Sequence, residues 1–346
     1  MNQALHYQEP EGIKISAMVQ PDVQEGYLRF LEQMGVRFCY TWAEGEQAGY
    51  GFLKALKERL AAHGMTLYNV GDMSLGKSES ILLGLSDRDR VLERFKGFIR
   101  TLGKLGIHTT TVTWEPSNTL STAMDGTVVS DRLGGRHDCG RTRGRATARM
   151  VDEQAVRRAG LSHGREYSKD EIWDNFTYFV RQIMPAAEEA GVRIALHPND
   201  PPMDRCLGIS TLIQSSKDYE RAFAIADSPF LGMEFCVGCW LEGGEGFGPL
   251  LSDIGRFAKE GRVFIVHFRN VSSPLPRFTE TFIDDGYQDM YQVMKAFVEA
   301  GYNGTLTMDH TPGMDPLAGP AGETAFAVGY LKALYQAARD EVYHLI

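Results

Sequence analysis

The chain has no apolar run near the roughly 18 residues of a membrane span, so no spanning helix is expected in its 346 residues. Its start, MNQALHYQEPEGIK, lacks a basic stretch followed by an apolar one and does not read as a signal peptide. Cysteine is scarce. The five present (Cys39, Cys139, Cys206, Cys236 and Cys239) are odd in number and irregularly spaced, which suits reduced thiols in a cytoplasm better than a disulfide framework. Positive charge is in deficit: 36 lysines and arginines against 45 acidic residues leave a net charge of −9. That balance argues against nucleic acid or an anionic membrane as partner, while leaving any single pocket free to be locally positive. No Walker loop or G-x-G-x-x-G follows a strand-like run, so nucleotide binding has no support. No internal repeat or low-complexity linker marks a domain boundary, and one domain over residues 1–346 is expected.

With 43% hydrophobic, 23% charged and 10% aromatic residues, the composition is that of a globular protein. Eight runs rich in Val, Ile, Thr and aromatic residues read as strands: 14–19, 36–41, 66–71, 107–113, 193–197, 231–236, 262–267 and 304–309. Amphipathic stretches lie between them, at 51–63, 90–105, 169–190, 217–227 and 288–300. Gly35, Gly64, Gly106, Gly191 and Gly301 each stand where a helix would stop before the next strand. Regular alternation favours a parallel sheet, and eight repeats favour a (β/α)8 TIM barrel over an open doubly wound sheet. The alternation fails once, over residues 116–168, where six arginines fall between Arg132 and Arg149. This insertion reads either as a lid bringing positive charge to an acidic substrate or as a solvated loop.

The chemistry is suggested by position. The fifth to eighth strands end on His197, Cys236, His267 and Asp309. In a barrel those ends converge on one mouth, where the active sites of this fold lie. Taken singly, a strand-end histidine is commonly a hydrogen-bonded core residue and a strand cysteine a small hydrophobe. Four in series point to one metal site. Imidazole, thiolate and carboxylate together suit zinc, iron or manganese better than calcium or magnesium. Cys236 and Cys239 also spell C-x-x-C, a weak signal alone, and Cys239 is expected to be incidental. Asn199, Asp200, Arg269 and Glu115 are candidate substrate contacts, Arg269 because a guanidinium pairs bidentately with a carboxylate. His310 is a candidate acid or base, since imidazole titrates near neutrality. Trp42, Glu44 and Glu115 itself also read as rim residues without chemical duty.

These motifs resemble the mannonate dehydratase family of the xylose isomerase-like barrels. The family's His-Pro-Asp-Asp-Pro-Pro is matched by His197-Pro198-Asn199-Asp200-Pro201-Pro202, its Cys-Thr-Gly by Cys236-Val237-Gly238, and its His-Phe-Arg by His267-Phe268-Arg269. Asp289-Met290-Tyr291 and Asp309-His310 are similar too, and the likeness is strongest from about residue 173 to 334. The resemblance implies a divalent-metal lyase, typically with manganese, that dehydrates a hexonic acid to a 2-keto-3-deoxy acid. It implies that His197, Cys236, His267 and Asp309 hold the metal, that Arg269 helps seat the acid, and that His310 transfers a proton.

The chain also departs from the family pattern. Thr311-Pro312-Gly313 follow Asp309-His310, Ala325 stands at a family tyrosine position, Thr279 and Ile283 replace histidines, and Asn199 replaces an aspartate. Conserved ligands with an altered surrounding shell imply the same ion with a changed substrate or reaction. The expected partner is therefore a small sugar acid or keto-sugar, and a homo-oligomer is compatible with the sequence. One alternative is a metal-dependent sugar isomerase or epimerase; another is a non-catalytic sugar-acid binding protein on the same scaffold.

Overall fold

A computed structural model describes residues 11–131, 139–314 and 317–344. Its β-branched and aromatic runs form β1 (Lys14–Met18), β2 (Phe38–Ala43), β3 (Thr66–Asp72), β4 (Thr109–Thr113), β5 (Arg193–His197), β6 (Leu231–Cys236), β7 (Val263–His267) and β8 (Thr305–Thr307). These strands pair in the order β3-β2-β1-β8-β7-β6-β5-β4, every pair parallel. Side chains join the two end strands: Thr110 Oγ1 donates to Val70 O at 2.8 Å, and Asn69 Nδ2 donates to Thr111 Oγ1 at 3.1 Å. The result is a nearly closed barrel, and the open doubly wound sheet is set aside.

Eight longer helices surround it: α1 (Glu25–Gln33), α2 (Tyr50–Ala62), α3 (Arg88–Lys104), α4 (Lys169–Ala190), α5 (Ser216–Ala226), α6 (Leu250–Lys259), α7 (Met290–Glu299) and α8 (Gly319–Val342). In α4 the local causes are plain. Ser168 Oγ accepts from Glu171 N–H at 3.2 Å while the Glu171 carboxylate accepts from Ser168 N–H, a reciprocal cap that starts the helix. Ile172, Trp173, Phe176, Phe179, Val180, Ile183 and Met184 recur at helical spacing and are all buried. Burial of each such side chain is worth about 1.5–3 kcal/mol. Gly191 then takes φ +65°, and Gly35, Gly64, Gly106 and Gly301 stop their helices at +69°, +68°, +66° and +70°.

Apolar packing between strands and helices runs from Ile13 to Ala338. A smaller cluster fills the barrel itself, built on Phe38, Tyr40, Tyr68, Ala195, Phe264 and Ile265. Where described, the 116–168 segment is neither a bare loop nor wholly solvated. Thr119–Thr122 pairs antiparallel with Val128–Asp131, and Gly140–Arg141 pairs with Thr147–Ala148. Met150–Asp152 pairs with Arg277–Thr281 from the loop after β7. Arg132 and Arg136 lie outside the described residues. No described helix is long and apolar enough to cross a membrane.

Candidate metal centre and active site

β5, β6 and β7 end on His197, Cys236 and His267, and Cys236 stands in register with His267. The fourth residue sits differently from expectation. β8 stops at Thr307, and Asp309 lies two residues beyond it, with φ +58° in the left-handed region that aspartate tolerates better than most residues. Even so, one donor atom from each of His197, Cys236, His267 and Asp309 lies within 4.8 Å of every other.

The donors are held from behind. His197 Nδ1–H donates to Pro198 O at 2.7 Å, which leaves Nε2 for the cluster. His267 has Glu234 Oε1 2.8 Å from Nε2 and Asp309 Oδ1 3.1 Å from Nδ1, yet neither buried nitrogen makes a directed hydrogen bond. Burial alone would raise the Cys236 thiol, but a hydrogen bond with Cys239, the Arg269 charge and both histidines hold it well below its ordinary value. Cys239, expected to be incidental, thus acts on Cys236 directly, and it also accepts from Arg269 Nη2 at 3.6 Å. Asp309, which burial would also raise, is held well below the usual carboxylate range by His267, His310 and Arg269. Burial opposes charge on His197, but Cys236 and Glu234 outweigh it and push that imidazole up to about 9. His267 is likewise pushed well above its ordinary value, against burial, by Asp309 and Glu234. A thiol and a carboxyl both held low and facing two imidazoles, with both His267 nitrogens lacking a directed hydrogen bond, fit a borderline divalent cation.

Behind these donors lies a buried ion network. Arg269 donates from Nε to Asp309 Oδ2 at 2.8 Å, from Nη1 to Glu242 Oε1 at 2.5 Å and from Nη2 to Asp200 Oδ2 at 2.7 Å. Gly238 permits this, since a Cβ there would stand 2.3 Å from Arg269 Cζ. Arg149 reaches the same group, donating to Asp200 Oδ1 at 2.5 Å, Glu280 Oε1 at 3.2 Å and Glu242 Oε1 at 3.3 Å. Two sequence expectations change here. Arg269, expected to seat the acid, is almost wholly buried among carboxylates and does not line the cavity. Asn199 is spent on the backbone, donating to Trp114 O at 2.9 Å and accepting from Ile213 N–H at 2.8 Å. Both support the site from outside it, and Arg149 brings one of the insertion's positive charges into the same network.

A cavity of about 660 Å³ opens over the cluster, lined by His197, His267, Asp309, His310, Glu115 and Asp200. Glu115 reaches it from the end of β4 and accepts from Asp200 N–H at 2.6 Å and from Thr119 Oγ1 at 3.2 Å. His310 Nδ1–H donates to Glu280 at 3.0 Å. Burial would raise Glu280, but His310, Arg269 and Arg149 hold it at about 2, so this acceptor is ionised. His310 in turn is raised by Asp309 and Glu280 against its burial. Trp42 lines the cavity; Glu44 is exposed and does not. Glu234, Tyr40 and Lys77 also line it and were not foreseen. Glu234 had a readable signal, since it precedes Cys236 by two on one strand and so shares its face; Lys77 had none.

The family model of D-mannonate dehydratase (UxuA) matches residues 147–340, more than half of the chain. The chain belongs to the D-mannonate dehydratase family. All four clustered donors, Arg149, Arg269, Glu280 and His310 fall inside the matched stretch. Mannonate dehydratase 2 of Halalkalibacterium halodurans is 28% identical over 74% of this chain and 76% of its own length. Mannonate dehydratase of Thermotoga maritima is 28% identical over 77% and 78%. In fold, the chain resembles the mannonate dehydratase of Streptococcus suis serotype 2 with a TM-score of 0.78, at 23% identity over 96% of this chain and 95% of that one. An L-ribulose 3-epimerase shares the barrel at 13% identity, with a TM-score of 0.62 over 96% and 98%.

Proposed function

We propose that this member of the D-mannonate dehydratase family is a metal-dependent hydro-lyase that converts a D-mannonate-like sugar acid to a 2-keto-3-deoxy acid. The observation that carries the reading is the convergence of His197, Cys236, His267 and Asp309, with donor atoms within 4.8 Å of one another and three of the four residues, His197, His267 and Asp309, on the cavity wall. These four residues would hold a divalent cation, manganese by family resemblance with zinc or iron as alternatives. When bound it supplies Lewis acidity to a substrate oxygen, easing loss of the proton at C2.

The protein's own groups supply the rest. Arg269 aims Asp309, which His267 foremost, then His310 and Arg269, hold low against burial, and Cys239 supports the Cys236 sulfur. Glu115 and Asp200 present carboxylate oxygens at the cavity wall for substrate hydroxyls. His310, anchored through Nδ1 to Glu280, keeps Nε2 for proton transfer as the C2 proton and C3 hydroxyl leave together as water. The setting is a cytoplasmic one with a small molecule as partner.

The test is incubation of manganese-loaded protein with D-mannonate, with metal content measured alongside. A 2-keto-3-deoxy product is expected. An epimerised or isomerised sugar would assign the metal site to the isomerase chemistry instead, and tight binding without turnover would make the protein a sugar-acid binder.

A further inference from the structure

Resting on the sugar-acid reading above, we propose that Lys77 seats the substrate carboxylate from the β3 side of the mouth and so selects acids over neutral sugars. A sugar acid entering this cavity meets Asp22, Glu115, Asp200, Glu234, Asp309 and Glu323 along its walls, beside the imidazoles of His197, His267 and His310, of which His267 and His310 are paired with Asp309, Glu234 and Glu280. Such a lining repels an anion unless cations offset it. The two arginines nearest the site do not serve, because Arg149 and Arg269 are buried behind the wall and committed to Asp200, Glu242 and Glu280. Among the described residues that line the cavity, Lys77 is the one lysine or arginine.

The placement of Lys77 is built into the loop. Asp72, the last residue of β3, accepts from Ser74 N–H at 2.8 Å, Ser74 Oγ at 2.7 Å and Leu75 N–H at 3.1 Å. Gly76 N–H donates to Asp72 O at 2.8 Å, and Gly76 O accepts from Thr113 N–H, at the end of β4, at 3.1 Å. Gly76 is pressed so close to β4 that a Cβ would stand 2.6 Å from Thr111 O. Lys77 follows directly, 7% exposed, with Nζ 5.5 Å from the centre of the Trp42 ring, which lines the same cavity. A lysine so placed does not sweep through solvent, and little side-chain freedom remains to be lost on binding. Burial lowers the Lys77 pKa, while the charge of Glu115 foremost, then of Glu234 and Asp200, works to keep the ammonium. An ammonium offers three N–H donors, so a substrate carboxylate can be taken up beside the partners Lys77 already has.

Lys77 also precedes the stretch matched by the family, 147–340. Metal ligation and acid selection would then come from different halves of the barrel and be separable by mutation.

The experiment compares binding of D-mannonate and D-mannitol, the same carbon chain with an alcohol in place of the acid, by calorimetry on manganese-loaded wild type, Lys77→Met and Lys77→Arg. Lys77→Met is expected to weaken D-mannonate by roughly 10- to 100-fold, the range for a hydrogen bond to a charged group. D-mannitol binding and metal content should stay unchanged, Lys77→Arg should recover part of the loss, and KM should rise more than kcat falls. Equal weakening of both ligands, unchanged D-mannonate affinity in Lys77→Met, or a fall in kcat alone would each overturn the assignment. Wild-type protein that binds no D-mannonate would overturn the assignment and the sugar-acid reading together.

Discussion

His267 and His310 face the same Asp309 oxygen, at 3.1 and 3.5 Å, but their other nitrogens meet different surroundings. His267 has no directed hydrogen bond at either nitrogen, whereas His310 is anchored on an ionised Glu280. His267→Ala should therefore lower metal content and activity in parallel, because it deletes a donor. His310→Ala should keep its metal and lose about 100- to 10,000-fold in kcat, the usual worth of a positioned acid or base. Elemental analysis beside a turnover assay separates them; a His310→Ala protein with full activity would sink its role in proton transfer. At this scale the donors were legible because each closes a strand-like run. Arg269 was not. Its company of Asp200, Glu242 and Glu280 comes from the three separate segments that follow β5, β6 and β7, and nothing in His267-Phe268-Arg269 announces that the guanidinium is already spoken for.

The barrel elements were readable for local reasons: hydrophobic period, caps and glycine stops act within one turn of chain. Strand boundaries differ from expectation by at most two residues, and β5 and β6 agree at both ends. Among the insertion's short strands, Met150–Asp152 escaped because its partner, Arg277–Thr281, is distant in sequence. The local pairs, Thr119–Thr122 with Val128–Asp131 and Gly140–Arg141 with Thr147–Ala148, are too short to show a period. One junction between elements carries a pH signature. His63, at the C-terminal end of α2, lies 3.1 Å from Glu32 and 2.7 Å from Glu25, both on α1, while Arg59 stands 3.9 Å from Glu25. Glu32 foremost, then Glu25, raise His63 above its ordinary value. The folded state thus holds this proton more tightly than the unfolded chain does. The resulting stability is fully present below about pH 6.5, the unfolded value, and is lost as pH rises through the raised folded value. Denaturant midpoints of wild type and His63→Gln should therefore differ more at about pH 5.5 than at about pH 8.5. A gap independent of pH would show that the charge on His63 does not join α2 to α1.

Across the whole molecule, Arg149 ties together parts that the barrel pattern alone leaves separate. It leaves the insertion, donates to Leu120 O at 3.0 and 2.8 Å, and meets Asp200 after β5, Glu242 after β6 and Glu280 after β7. Its side chain is 1% exposed and those of the three acids 4% or less, so water cannot compensate for a missing partner. Replacing the buried ion group wholesale with apolar residues can be neutral, but removing one member strands the others and costs about 3–5 kcal/mol. Arg149→Met should therefore lower the denaturant midpoint by that equivalent. Arg143, which makes a pair of similar length to Asp284 at 2.9 Å but is 45% exposed, is the control: Arg143→Ala should cost below about 1 kcal/mol. Equal small losses in both variants would mean that Asp200, Glu242 and Glu280 are neutralised without Arg149, and the insertion would then be an ornament on the barrel instead of a brace for its mouth. A large loss confined to Arg149→Met would explain physically why the alternation of strand and helix breaks where it does. The extra segment delivers the second cation to a group in which four carboxylates, Asp200, Glu242, Glu280 and Asp309, crowd together at the mouth.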